Sequence, residues 1–140
     1  VSSRKSKKRG FTLVELIVGM TIIMVITVAS LVSFQGANKR ARDGRRMADL
    51  EKIRTALELA RQAGTTYPAT LTVLTSGSFV EAVPTDPKPQ TYGYFYERPT
   101  DYTFRVYGFM EDGNNSNGTY SVGAGGTGCG VVCNYRLMNP

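Results

Sequence analysis

From Leu16 to Asn38 the chain carries no charged side chain. Within that stretch Leu16–Phe34 is almost wholly apolar, broken by small polar residues at Thr21, Thr27, Ser30 and Ser33. About twenty such residues span the hydrocarbon core of a bilayer. Lipid offers backbone N–H and C=O groups no partners, so a single spanning segment is predicted to be helical. The helical pattern then outlasts the apolar run. Met47, Leu50, Ile53, Leu57 and Ala60 recur at steps of three or four and form one stripe. Asp49, Glu51, Lys52, Arg54, Glu58 and Arg61 fall elsewhere, with Arg54 and Glu58 placed to pair at i, i+4. Gly64 is a good C-terminal stop, and Pro68 forbids continuation. The spacing predicts a helix from about Phe11 to Ala63, roughly 80 Å long at 1.5 Å per residue. Gly19, Gly36 and Gly44 weaken it locally, and no proline interrupts it.

The apolar run has an unusual front. Arg4, Lys5, Lys7, Lys8 and Arg9 precede Gly10, and the sequence continues Phe11-Thr12-Leu13-Val14-Glu15. A carboxylate here is costly, by up to about 2–3 kcal/mol at mid-bilayer and less near the interface. Such a group is a functional candidate by default. Basic run, Gly, Phe and a Glu as the fifth residue after the Gly resemble the processing site of type IV pilins and of the pseudopilins of type II secretion. The resemblance implies cleavage by a prepilin peptidase between Gly10 and Phe11 and N-methylation of Phe11. It also implies that Glu15 pairs with the Phe11 amine of a neighbouring copy, which sets subunit registry. The partners implied are further copies of the chain in a helical filament, the peptidase, a pilus or secretion assembly platform, and membrane lipid before assembly. The basic leader implies an N-terminus inside a cytoplasmic (inner) membrane and a head outside it, although the basic groups after the apolar run nearly balance those before it.

An ordinary signal peptide, cut near Thr27-Val28-Ala29 to release a soluble binding domain, is the alternative. It leaves Glu15 without a role. Further along, Tyr67-Pro68 and Pro84-Thr85-Asp86-Pro87 also resemble major pseudopilins, whereas a small terminal cysteine loop is more pilin-like.

Charge is unevenly spread. The net charge is +6, but the leader holds five of the basic groups, and without it the side chains sum to +1. Residues 55–140 are slightly acidic, which argues against a nucleic-acid-binding body. The run Ala37–Arg46 is expected to be a solvated helix face or to bridge neighbouring subunits. A DNA-binding stripe is the lesser reading, since aromatics are not interleaved and Asp43 interrupts the positive charge.

The expected fold class is α+β: a long N-terminal helix on a small antiparallel sheet. The expected divisions are a leader (1–10), a membrane or filament-core helix (11–36), its amphipathic continuation (37–64) and a β-rich head (65–140). Leu71–Leu74 reads as a turn of helix, and the prolines around Asp86 as a rigid loop. Tyr92–Glu97 and Tyr102–Met110 read as a hairpin turning at Arg98–Asp101, with Tyr102, Phe104 and Val106 on one face. Val131–Leu137 reads as a last strand. Residues 111–128 are rich in Gly, Asn and Ser and read as a flexible loop.

In that loop Glu111, Asp112 and Asn114 offer oxygen donors of the kind calcium takes. Two carboxylates without EF-hand spacing are a poor set, so no cofactor is expected and calcium is the lesser alternative. The chain has no His and two cysteines, Cys129 and Cys133, which in an exported domain would most simply form a small disulfide loop. No catalytic constellation is present: there is no G-x-S-x-G elbow and no phosphate loop between a strand and a helix. The chain reads as a building block, not an enzyme.

Overall fold

A computed structural model describes residues 10–139; the basic leader residues 1–9 lie outside the described residues. The elements are α1 (Leu13–Gly64), α2 (Thr72–Ser76), β1 (Phe95–Thr100), β2 (Thr103–Gly108) and β3 (Tyr135–Met138), with short 3-10 turns at Gly113–Asn115 and Ala124–Gly126. This is the expected α+β class. The chain divides into two compact units, one up to Ala37 and one from Asn38 onward.

Among its described residues the first unit is helix from Leu13 onward. It contains an 18-residue window of mean hydropathy 2.5 with none of it buried, enough to cross a membrane by length and composition. Ile22, Ile23, Met24, Val25, Ile26 and Leu31 are all more than half exposed. Three of the four hydroxyl residues in this run turn inward on the backbone. The hydroxyls of Thr21, Thr27 and Ser30 each donate 2.8 Å bonds to carbonyls three or four residues earlier. The hydroxyls therefore need no outside partner.

The second unit holds the core. Leu50, Ile53, Ala56, Leu57 and Ala60 of α1 cluster with Tyr67, Leu74, Phe104, Val106 and Met110, while Met47 is partly buried beside them. Each fully buried large side chain is worth about 1.5–3 kcal/mol. The sheet order is β1-β2-β3, antiparallel throughout. Gly108 marks the close approach of sheet and helix: a Cβ there would lie 3.2 Å from the Leu50 side chain.

Several local boundaries differ from expectation, each for a physical reason. The left-handed step that ends α1 falls on Thr65 (φ 69°), not on Gly64, and Thr65 N–H donates 2.7 Å to the Arg61 carbonyl. Arg54 pairs with Glu51 and Arg61 with Glu58, both at i, i+3, in place of the Arg54–Glu58 pair. The hairpin turns at Asp101-Tyr102, because the register slips between Glu97 and Thr100 and lets Pro99 sit where no ladder donor is needed. Tyr102 is consequently 63% exposed and does not join Phe104 and Val106. Residues 88–92 form turns instead of ladder, so β1 starts at Phe95. Cys133 bridges to Tyr120, so β3 starts only at Tyr135.

The second sheet face is also covered, which the sequence pattern did not suggest. Tyr107 packs with the disulfide-joined Cys129 and Cys133, flanked by Phe95, Phe109, Tyr120 and Val122.

Candidate functional site

The residues singled out at the front of the chain form a compact local arrangement. Gly10 and Phe11 are exposed and precede the first helical turn, so the peptide bond between them is not engaged in helix. Thr12 starts the helix: its carbonyl accepts the first helical bond from Leu16 N–H at 3.2 Å. Its hydroxyl accepts from Glu15 N–H at 3.2 Å. Glu15 reaches back, and Oε2 accepts from Thr12 N–H at 3.1 Å and from the Thr12 hydroxyl at 3.0 Å. This is a reciprocal capping box, satisfying two amide donors that a helix start leaves orphaned. The role of Thr12 was missed, although Thr-x-x-Glu is its signal in the sequence. The capping box gives Glu15 a local task beside any intermolecular one.

Within the charge run Lys39, Arg40 and Arg45 are exposed, as a solvated face requires, but two members depart from expectation. Asp43 and Arg46 are completely buried, not solvated. The Arg46 guanidinium forms a bidentate pair with Asp86, Nε to Oδ2 at 2.7 Å and Nη2 to Oδ1 at 3.0 Å. Its Nη1 donates to Asp43 Oδ1 and Glu111 Oε1, each at 2.9 Å. Arg42 grips Glu111 with two bonds of 2.7 and 2.6 Å, and Lys88 Nζ adds a third partner at 3.1 Å. The Tyr92 ring faces Arg46, 5.1 Å from Cζ to centroid. Three cations thus oppose three carboxylates, Asp43, Asp86 and Glu111, so the cluster is neutral.

Asp43 does more than balance charge. It accepts from the backbone N–H of Glu111 at 2.9 Å and of Asp112 at 2.8 Å, fastening that loop to α1. Asp86 likewise accepts from Lys88 N–H at 2.7 Å and shapes the proline-rich loop. The helix therefore holds two loops through one ionic clasp.

Electrostatics follow the geometry. Burial works against charge on Arg46, yet Asp86, Glu111 and Asp43 together hold its guanidinium above the ordinary arginine value. The Arg42 guanidinium holds the Glu111 carboxyl well below the usual carboxylate range, helped by Lys88 and Arg46 against desolvation. The Asn114 backbone N–H and Arg40 lower Asp112. Nearby, burial and the Asp49 carboxylate push the Tyr94 hydroxyl up, and Tyr94 donates to Asp49 at 3.1 Å.

The remaining candidates separate. Glu111 is enclosed by three cations, while Asp112 caps its own loop through Asn114 N–H at 3.1 Å and meets Arg40 at 3.4 Å. Asn114 is exposed. Among the described residues, no group of three or more His, Cys, Asp or Glu is gathered as a metal site. Cys129 and Cys133 form a disulfide with Cα atoms 5.4 Å apart.

A description of the prokaryotic N-terminal methylation motif matches residues 5–31. The chain is 26% identical over 145 aligned residues to type II secretion system core protein G of Vibrio cholerae serotype O1, with 95% of each chain covered. It is 28% identical over 98 residues to the protein of that name from Dickeya chrysanthemi, covering 68% of this chain and 63% of that one. No solved structure matches the chain. With the methylation motif at its front, a long helix leading to a small antiparallel sheet, and core protein G as a relative over nearly its whole length, the chain is similar to the type II secretion pseudopilins.

Proposed function

We propose that the chain is a structural, non-enzymatic subunit of a pseudopilus-like filament of type II secretion. The carrying observation is the methylation motif joined to a helix whose apolar residues are exposed over its first half. Those residues need an apolar environment, first lipid and then the helices of other copies. A prepilin peptidase cuts between Gly10 and Phe11, a bond that lies ahead of the helix, and Phe11 is methylated. The precursor spans the inner membrane once with the leader inside and the head outside. An assembly platform then moves it into the filament.

Glu15 sets registry by accepting the Phe11 amine of a neighbouring copy, which it reaches by giving up its bonds to Thr12. Core protein G as the relative, with the two proline loops, favours pseudopilus over pilus. DNA is not an expected partner, because Arg42 and Arg46 are taken up by Glu111 and Asp86 and the run keeps little free positive charge. No cofactor is required. The cations around Glu111 already supply the charge that calcium would bring, so millimolar calcium should leave the melting temperature unchanged.

The test is the intact mass and N-terminal sequence of the chain made together with a prepilin peptidase. A start at methylated Phe11 is expected. A start near Ser30–Asn38 would overturn the reading in favour of a secreted soluble domain. Glu15→Leu should still insert and be cut but form no filaments; normal filaments would remove the registry role.

A further inference from the structure

The loop held by Asp43 carries a sequence pattern that filament assembly does not use. Asn114-Asn115-Ser116 and Asn117-Gly118-Thr119 are both Asn-x-Ser/Thr sites, the acceptor pattern for N-linked glycans. They stand side by side, and their chemistry in the folded chain is different.

The Asn117 carboxamide is committed to structure. Its Nδ2 donates to the Arg136 carbonyl at 2.9 Å, and its Oδ1 accepts from Arg136 N–H at 2.9 Å and from the Tyr120 hydroxyl at 3.2 Å. It behaves as an extra rung beside β3. Attack by Nδ2 would break that rung. Asn114 stands at the exposed tip of a 3-10 turn. Its backbone N–H donates to Asp112 Oδ1, its carboxamide lies near enough to the Asp112 carboxylate to help lower it, and among the described residues that carboxamide makes no hydrogen bond within 3.5 Å. Ser116 is exposed two residues on. The turn is presented rigidly, because Asp43 accepts from the N–H groups of Glu111 and Asp112 and from Asn115 Nδ2 at 3.4 Å. Asp112 stands two residues before Asn114, with an acidic side chain on the same turn.

We propose that Asn114 is an N-glycan acceptor and that Asn117 is not. The donor class is an oligosaccharide linked to a lipid through pyrophosphate. Asn114 Nδ2 attacks the anomeric carbon and forms the N–C1 bond. The C1–O bond breaks, its electron pair leaves with the lipid pyrophosphate, and one Nδ2 proton passes to a base of the transferase. In the cell this rests on the reading above that the head is exported, since the reaction takes place outside the cytoplasm.

The test uses the full chain in detergent with a purified bacterial oligosaccharyltransferase and its lipid-pyrophosphate-linked oligosaccharide, read by intact mass. One glycan is expected on the wild type. Asn114→Gln and Ser116→Ala should each lower the modified fraction at least tenfold. Thr119→Ala, which removes the second site without touching the Asn117 carboxamide, should leave it unchanged. An unmodified wild-type chain, or a glycan lost in Thr119→Ala and retained in Asn114→Gln, overturns the proposal. Export is read separately by alkylating intact cells. Cys129 and Cys133 blocked until reduced place the head outside, and thiols that alkylate directly would refute export whatever Asn114 does in the purified reaction.

Discussion

The two halves of α1 invert the usual rule of what faces water. Over Leu16–Phe34 the described large apolar side chains are exposed, and the hydroxyls of Thr21, Thr27 and Ser30 are folded onto the helix backbone. Over Asp43–Ala60 an arginine and an aspartate are fully buried while Leu59 stays 47% exposed. One helix therefore serves two solvents. In the first half lipid or neighbouring helices replace water, and every internal polar group must be satisfied within the chain. In the second half water is present, and charge is buried only where it is completely paired. The contrast teaches that burial within one subunit is a poor guide to importance in the first half and a good one in the second.

The clasp gives the largest expected effect. Arg46→Met removes one guanidinium and strands Asp43 and Asp86 away from water, while Glu111 keeps Arg42 and Lys88. Breaking a buried pair on one side costs about 3–5 kcal/mol. A domain of this size shifts by about 4–8 °C per kcal/mol, so thermal unfolding of the full chain in detergent should fall by more than about 10 °C. A shift under about 3 °C would show that the cluster is wet and screened. The same cluster sets an acid limit. The Glu111 carboxyl is lowered in the fold relative to its ordinary 4.5. Its contribution is therefore fully present above that value and is lost as pH falls through and below it toward the folded value. Unfolding midpoints should be flat from neutral pH to about 5 and decline below about 4.5. Arg42→Met, which removes the largest cause of that lowering, should flatten the decline.

A paired substitution sharpens the comparison itself. Leu57→Ala opens the core against Phe104 and Val106 and should cost about 2–5 kcal/mol in denaturant unfolding of the head. Ile22→Ala removes a similar volume from a side chain already 54% exposed and should leave head unfolding unchanged. Equal effects at the two sites would mean that the first half packs on the chain itself.

Much of this division was legible in the sequence. The uncharged run and the 3.6-residue stripe locate α1 to within two residues at either end. The stripe residues Leu50, Ile53 and Leu57 are the buried ones, because periodicity reports a face directly. The clasp was not legible, since Arg46 and Asp86 lie 40 residues apart and a charge run on a helix gives no sign of which member turns inward. Asp86 between Pro84 and Pro87 was read as loop stiffness, yet those prolines also aim a carboxylate. The second core behind β2 was hidden because Tyr107 and the cysteine loop show no shared period. Thr12 was legible in principle, since Thr-x-x-Glu is a capping pattern.

The disulfide should matter less than the clasp. Closing a short loop removes little chain entropy, about 2 kcal/mol by the loop-length relation. Reduction, or Cys129→Ser with Cys133→Ser, should lower the midpoint by roughly that equivalent and loosen the Tyr107 cluster while leaving the Leu57 core intact. Tyr107 and Phe104 stand on different clusters, so hydrogen exchange resolves the two losses. Equal loss of protection at both would make the sheet one cooperative unit.

The smallest expected effect lies at the front of α1. Thr12→Val deletes the hydroxyl that accepts from Glu15 N–H and donates to its carboxylate. An N-cap of this kind is worth about 0.5–2 kcal/mol, all of it local to the first turn. Head unfolding should not change, and exchange at the Glu15 amide should speed up by roughly tenfold, the equivalent of about 1.4 kcal/mol. The informative contrast is with Thr12→Ser, which keeps the hydroxyl and should restore protection. If assembly needs Glu15 to leave its own Thr12 for a neighbour's amine, loosening the cap should not hinder filament formation, whereas Glu15→Leu should abolish it. Loss of filaments in Thr12→Val with recovery in Thr12→Ser would instead make the orientation given by the cap, and not its release, the step that prepares Glu15 for its partner.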